Sequence, residues 1–141
     1  MALARTNERL CMLPVTSIIA ALAVVLYITL AARVIAVRRT NKVSLGDAAD
    51  KVLETRIRQH GNFNEYVPLA LILMVIAELQ GAPKALLLAL GVAILGGRLA
   101  HVFGLENMHK AIGIKIRTYG MISTFLSLII LSVTLVIQTV F

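Results

Sequence analysis

The sequence predicts an all-α integral membrane protein that forms an up-down-up-down four-helix bundle. Hydrophobic residues make up 59% of the 141 residues, and the mean hydropathy is +0.88, which is high for a soluble domain. The excess falls into blocks long enough to cross a bilayer, for which about 20 residues are needed. Basic residues flank these blocks, so the net charge of +7 indicates membrane topology and not nucleic-acid binding.

The first block predicts a span from about residue 13 to 37. It exceeds the apolar core of a signal peptide, which has about 7–15 residues, so we interpret it as a membrane helix. Cys11 precedes the block. Because a lone cysteine cannot form an internal disulfide, we interpret it as a bystander.

The second block predicts a span from about residue 58 to 79, although its apolar run has only 12 residues. A spanning helix of about 20 residues must therefore extend back to Arg58, through strongly polar sequence. Ser44, with Asp47 three residues later, resembles a capping box and predicts a helix that begins before the membrane. Pro68 removes a backbone donor and predicts a kink.

The third and fourth blocks predict spans at about residues 83–103 and 118–140. Gly91, Gly96 and Gly97 lie in the third span, and small residues let membrane helices approach closely. These glycines, together with a polar stripe on span two that needs a partner, predict self-association.

The distribution of basic residues predicts the orientation. Four spans place both termini on one side, and that side, with the short turn, carries three basic residues, Arg5, Arg9 and Lys84. The side with the two polar connections carries nine, so we expect it to be cytoplasmic. These nine are Arg38, Arg39, Lys42, Lys51, Arg56, Arg58, Lys110, Lys115 and Arg117.

The polar residues of all four spans fall into the cytoplasmic leaflet, which predicts a polar cavity open to that side. Arg58, Asn62 and Glu65 have spacings of four and three, so they share one helical face. Ionisable groups at this depth are costly and usually face protein or water. The other residues at this depth are Arg33, Arg38, His60, Tyr66, Arg98, His101, Lys115, Arg117 and Tyr119.

The charges at this depth predict an anionic ligand. Arg58, Arg98 and Arg117 have Glu65 as their nearby anion, and an uncompensated cation in a low-dielectric cavity is expensive. Arginine forks suit carboxylates, so an anionic ligand would offset this cost. Two structural alternatives stay open: arginines at helix ends can extend to the headgroups, and Arg58 or Arg98 can pair with Glu65 only to stabilise the bundle.

Other chemistries fit the sequence less well. The three histidines lack ligand spacing on one helix, so no metal site is predicted. The sequence has no P-loop, no dinucleotide-binding glycine motif and no serine nucleophile elbow. A proton relay through Glu65 and His101 is a further alternative.

The motifs around these residues resemble those of the MAPEG family, the membrane-associated proteins in eicosanoid and glutathione metabolism. The run R-x-H-x-N-x-x-E begins at Arg58 and is followed by tyrosine and, after one residue, proline. E-x-x-G ends at Gly81, G-R-L-x-H-x-x-G runs from Gly97 to Gly104, and Arg117 enters the last span. The resemblance covers nearly the whole chain and is strongest to small bacterial inner-membrane members.

The resemblance implies a homotrimer of left-handed four-helix bundles that binds glutathione between subunits in the cytoplasmic leaflet. It implies that an apolar second substrate arrives through the bilayer. It also places Arg117 near the glutathione sulfur, where a cation favours the nucleophilic thiolate. Together with the predicted cavity, it gives these expected glutathione-binding residues: Arg38, Arg58, His60, Asn62, Glu65, Tyr66, Arg98 and His101.

The chain also departs from the family pattern. Leu105 and Met121 stand where eukaryotic relatives carry tyrosines, so the resemblance implies a broad glutathione transferase or lipid hydroperoxide peroxidase and not a specific eicosanoid synthase. Two alternatives have the same fold: a non-catalytic protein that binds lipid or glutathione, and a structural membrane protein.

Overall fold

The computed structural model of the chain describes residues 13–141, so Arg5, Arg9 and Cys11 lie outside the described residues. The described part contains four helices and no strand, and each helix is long and apolar enough to cross a membrane. This confirms the predicted all-α four-helix membrane bundle. The helices are α1 Pro14–Asn41, α2 Lys51–Leu79, α3 Lys84–Glu106 and α4 Ala111–Val140.

Helix α2 begins at Lys51, and its N-cap differs from the prediction. The side chain of Asp50 accepts hydrogen bonds from the backbone N–H groups of Val52 and Leu53, so Asp50 is the N-cap and the predicted pair of Ser44 and Asp47 is not. The helix cannot begin earlier, because the residues just before Asp50 have positive φ angles.

Helices α2 and α3 form the centre of the bundle, and within the described chain α1 and α4 do not contact each other. The closest approach is between α3 and α4. A Cβ atom on Gly97 would lie 2.7 Å from the carbonyl oxygen of Gly120, and one on Gly120 would lie 2.5 Å from that of Gly97. These helices therefore pack backbone against backbone.

Two of the three glycines in the predicted third span pack against other helices of the same chain, and the self-association that we predicted from them stays a prediction. Gly97 packs on α4, and a Cβ on Gly91 would lie 2.6 Å from the Ile19 side chain of α1. Gly96 has nothing within 4 Å of its Cβ position. Of the three, only Gly96 leaves open space for something outside the chain.

The N-terminus of α1 is capped from another helix. Leu13 at the N-cap provides no side-chain hydrogen bond, whereas the carboxylate of Glu78 accepts the backbone N–H groups of Val15 at 3.0 Å and Thr16 at 2.8 Å. A carboxylate there satisfies two of the four N–H groups that a helix start leaves free, and it complements the helix dipole. Glu78 therefore ties the end of α2 to the start of α1.

Candidate functional site

A cavity of about 380 Å³ lies where the α1–α2 connection folds against α2. This volume is within the range of about 300–1,000 Å³ found for small-molecule sites. The structure brings together here three of the predicted site residues, Arg58, Asn62 and Glu65. The remaining lining residues are Gly46, Asp47, Glu54, Ile57 and Gly61.

The helical face that carries the cavity follows directly from spacing on α2. Glu54, Arg58, Gly61 and Glu65 recur every three or four residues, so they form one stripe along the helix. Gly61 has nothing within 4 Å of its Cβ position, so the missing side chain leaves the middle of this stripe open.

Arg38 shapes the cavity through the connection that covers it. Its Nη1 donates a 2.8 Å hydrogen bond to the carbonyl oxygen of Gly46. In the same connection Ala48 and Ala49 have φ angles of 51° and 60°, a conformation that costs a non-glycine residue about 1–2 kcal/mol. Asp47 supports this turn by accepting the N–H of Ala49 at 3.0 Å. Arg38 therefore fixes one wall of the cavity and is not among its lining residues.

Arg98, predicted to face the ligand, lies behind the cavity instead. It is 1% exposed, and its guanidinium donates to Asn62 Oδ1 at 2.5 Å, to Thr124 Oγ1 at 2.7 Å and to the Gly120 carbonyl oxygen at 3.2 Å. It also lies 5.0 Å from the centre of the Tyr66 ring, in cation–π geometry. Arg98 thus joins α2, α3 and α4, and reaches the cavity only through Asn62.

The two predicted site histidines and Tyr66 do not line the cavity of a single chain. His60 faces α1, where its ring lies 5.0 Å from that of Tyr27, and its buried Nε2 has no partner among the described residues. His101 is 4% exposed within the bundle. Tyr66 packs against Phe125 of α4 in edge geometry at 5.5 Å.

Arg117, the predicted thiolate-stabilising residue, also lies outside this cavity. It is half-buried on α4, and its Nη1 is 3.7 Å from Met108 Sδ. A Cβ on Gly104 would lie 2.7 Å from the Cβ of Arg117, so this glycine is what lets the α4 residue approach α3.

The charge balance of the cavity differs from the predicted surplus of cations. Its lining contains one cation, Arg58, and three carboxylates, Asp47, Glu54 and Glu65. Periodicity could have found Glu54, because it lies four residues before Arg58 on the same face. The cavity of one chain therefore offers a place for an ammonium group as well as a carboxylate.

Sequence reasoning also missed Glu106, which organises a second polar cluster. This carboxylate accepts hydrogen bonds from Arg33 of α1 and Arg56 of α2. Gln59 is buried beside it and donates to the Val102 carbonyl oxygen at 2.9 Å. In residues 13–141, no three His, Cys, Asp or Glu side chains are grouped as metal ligands would be.

These features define a class: an integral membrane four-helix bundle with a polar cavity at one end of its second helix. The model of the MAPEG family matches residues 16–137, so the chain belongs to the MAPEG family. It is 32% identical over 117 residues to the inner membrane protein YecN of Escherichia coli K12, covering 83% of this chain and 86% of that one. The YecN of E. coli O6:H1 strain CFT073 has the same identity and coverage. No solved structure shows a significant match.

The family and these relatives establish a location as well as a fold. The chain is an integral protein of the inner membrane, as four spanning helices and the inner-membrane relatives indicate. The cytoplasmic orientation of its polar connections stays a prediction from the distribution of basic residues.

Proposed function

We propose that this protein is a membrane-bound glutathione transferase that conjugates glutathione to apolar electrophiles and can also reduce lipid hydroperoxides. The observation that carries the proposal is the cavity on α2, where Arg58, Asn62 and Glu65 meet on one face. Membership of the MAPEG family supports the choice of ligand.

The chemistry of the cavity suits a tripeptide with two carboxylates and one ammonium. Arg58 can hold a carboxylate through a charge-assisted fork, and Glu65 can hold the ammonium. Asn62 lies between Arg58 and Glu65 along the helix; Arg98 donates to its Oδ1, and its Nδ2 lies 3.5 Å from Glu65. This leaves one carboxylate of the ligand, and its thiol, to be met by other cations.

A homotrimer would supply these cations and cover the site. Arg58 and Glu65 are both exposed in the single chain although they belong to a spanning helix, and charges facing lipid are costly. A neighbouring copy packed on this face would shield them and bring its own Arg38 or Arg117 to the cavity. Self-association is therefore part of the proposal, because the cavity of one chain has too few cations for the second carboxylate and the thiol of glutathione.

The proposed reaction begins with loss of the thiol proton to water, promoted by a nearby cation such as Arg117. The thiolate sulfur then forms a bond to the electrophilic carbon, and the leaving group departs with the electron pair of the broken bond. Apolar helix surfaces give the second substrate a route from the bilayer, since many large hydrophobic side chains of the bundle are exposed.

A second candidate, a protein of the same fold that binds glutathione without catalysis, is favoured by one observation. Arg117 contacts Met108 and does not line the cavity, so among residues 13–141 Arg58 is the one cation in the lining. The two candidates differ in whether the bound thiol is ionised.

The test is calorimetric titration of the detergent-solubilised protein with glutathione, followed by thiolate absorbance at about 240 nm. We expect binding that Arg58→Ala weakens, together with a thiolate signal near neutral pH. Binding without that signal, and without turnover of an aryl halide, would favour the non-catalytic protein. Absence of glutathione binding would contradict both candidates and leave a lipid-binding or structural role.

A further inference from the structure

An apolar groove of about 480 Å³ runs between α1 and α3, on the membrane-facing surface of the bundle. Its lining has one side-chain hydroxyl, that of Thr29, which donates to the Val25 carbonyl oxygen of the same helix. The groove therefore offers a ligand mainly apolar contacts. Gly96 opens the groove, because no atom lies within 4 Å of its Cβ position. The lining residues are Ile19, Leu22, Val25, Leu26, Thr29, Val92, Leu95, Gly96 and Leu99.

The predicted cytoplasmic end of this groove is closed by an ion pair. Arg33 lies four residues after Thr29 on α1, and Glu106 lies seven residues after Leu99 on α3. At these spacings, each lies on the same helical face as the groove residue before it. The two side chains pair with each other across it. At 1.5 Å per residue, the wall from Ile19 to Thr29 is about 15 Å long, or half of a hydrocarbon core of about 30 Å.

A second cavity, of about 320 Å³, lies between the start of α2 and the end of α3, and its lining includes the apolar residues Val52 and Leu105. It shares Glu106 with the ion pair, and it is also lined by Lys51, Thr55 and Arg56. Arg56 pairs with the same carboxylate oxygen as Arg33. Glu106 therefore lines the second cavity and also pairs with Arg33, which lies one turn beyond the groove on α1.

The charges at this junction do not cancel. Arg33, Lys51 and Arg56 are three cations around the single carboxylate of Glu106. The nearby Asp50, which caps α2 and accepts a hydrogen bond from Asn41, keeps its charge, so the three cations exceed these two carboxylates by one. Basic pockets between membrane helices on the cytoplasmic side attract anionic headgroups.

We propose that this junction is a binding site for an anionic phospholipid. Its acyl chain lies in the groove between α1 and α3, whose wall on α1 is about 15 Å long. Its phosphate lies in the second cavity against Lys51 and Arg56, with Arg33 between the cavity and the groove. The site lies at Glu106, apart from the cavity of Arg58 and Glu65, so it does not depend on the proposed transferase activity.

The test is native mass spectrometry of the purified protein titrated with phosphatidylglycerol or phosphatidylcholine of the same chains. We expect several-fold tighter binding of phosphatidylglycerol. Lys51→Gln should reduce that preference about fivefold, because a basic residue near a membrane surface contributes about 1 kcal/mol to anionic lipid binding. Lys51 has no ion pair among the described residues, so this variant leaves the bundle intact.

A second variant tests the groove independently of charge. A Cβ atom at Gly96 meets nothing within 4 Å, so Gly96→Leu places its side chain in the open groove; it should reduce binding of both lipids while the fold, followed by circular dichroism, is unchanged. Lys84→Gln and Ser132→Leu are the matched controls, at the far end of α3 and on the exposed surface of α4. Both should bind lipid like the parent protein.

Three outcomes would overturn the proposal. Equal binding of the two lipids would remove the role of the cations, and tight binding of free glycerol phosphate would show an anion site without a lipid. Cross-linking from a cysteine at position 96 to another protein copy would show that a second copy fills the groove. Glutathione titration of the same variants should give the parent affinity, which separates a failure here from a failure of the transferase proposal.

Discussion

Arg98 donates a 2.5 Å hydrogen bond to Oδ1 of Asn62, which couples the most buried cation of the bundle to the lining of the cavity. Because Oδ1 is the acceptor, the amide Nδ2 is turned toward Glu65. The orientation of Asn62, and with it the hydrogen bonds it can offer in the cavity, is therefore set by a residue that does not line the cavity.

We predict that Arg98→Met destabilises the protein by about 3 kcal/mol, since each buried group left without a partner costs about 1–3 kcal/mol. Arg58→Met, at an exposed position, should change stability by less than about 0.5 kcal/mol. Denaturant unfolding in detergent measures both. Equal losses from the two variants would mean that the hydrogen bonds to Asn62 and Thr124 contribute little.

A second prediction separates binding from stability at two glutamates. Glu65→Gln should weaken glutathione binding by more than tenfold, because a charge-assisted hydrogen bond contributes about 1.5–3 kcal/mol. Glu78→Gln should leave binding unchanged but lower the unfolding free energy by about 1 kcal/mol, the usual contribution of an N-cap. Calorimetry and thermal unfolding on both variants check the pair. A binding loss from Glu78→Gln would place the ligand elsewhere.

The contact between α3 and α4 gives a third prediction. Gly97→Ala should destabilise the bundle by about 1–3 kcal/mol, because its Cβ would lie 2.7 Å from a backbone oxygen that cannot move independently. The control is the adjacent Gly96→Ala, which meets nothing and should stabilise α3 by about 0.5–1 kcal/mol through helix propensity. Thermal unfolding of the two variants should therefore move in opposite directions.

The fourth prediction concerns Arg117 and pH. If Arg117 stabilises the thiolate, Arg117→Ala should raise the pKa of the bound glutathione thiol, and each unit corresponds to about 1.4 kcal/mol. The thiolate is lost below the raised pKa, so turnover falls near neutral pH and recovers as pH rises. Single-turnover rates at saturating glutathione measure this. A loss that is equal at every pH would indicate a positioning role.

The matched variant for this experiment is Arg58→Ala. It should weaken glutathione binding and leave the thiol pKa nearly unchanged, because Arg58 belongs to the binding stripe of α2 and Arg117 lies on α4. If Arg58→Ala raised the thiol pKa and Arg117→Ala weakened glutathione binding, the roles that we propose for the two arginines would be exchanged.

The sequence predicted the four helices and the stripe of Arg58, Asn62 and Glu65, because helical period and hydropathy depend on local spacing alone. It did not predict the position of Arg98. Arg98 was predicted to lie at the same membrane depth as Glu65. Its hydrogen-bond partner Thr124 is 26 residues away on α4. No local pattern in the sequence specifies which helices pack together. Tertiary packing thus places Arg98 behind the cavity of one chain, and its predicted contact with a ligand stays a prediction.

Two further differences have physical causes. Glu106 was assigned to a polar connection, but α3 continues to it, so it became an anion for Arg33 and Arg56. The cap of α2 was misplaced because Ala48 and Ala49 adopt positive φ angles, which a sequence of alanines does not suggest.

The cap that Glu78 provides for α1 bears on the order in which the chain is assembled in the membrane. The N–H groups of Val15 and Thr16 donate to the carboxylate of Glu78, which is synthesised more than sixty residues later. The first helix therefore lacks this cap until the second helix has crossed the bilayer in the opposite direction. Membrane insertion of α1 and α2 as a hairpin, before α3 emerges, is the sequence of events that this contact favours.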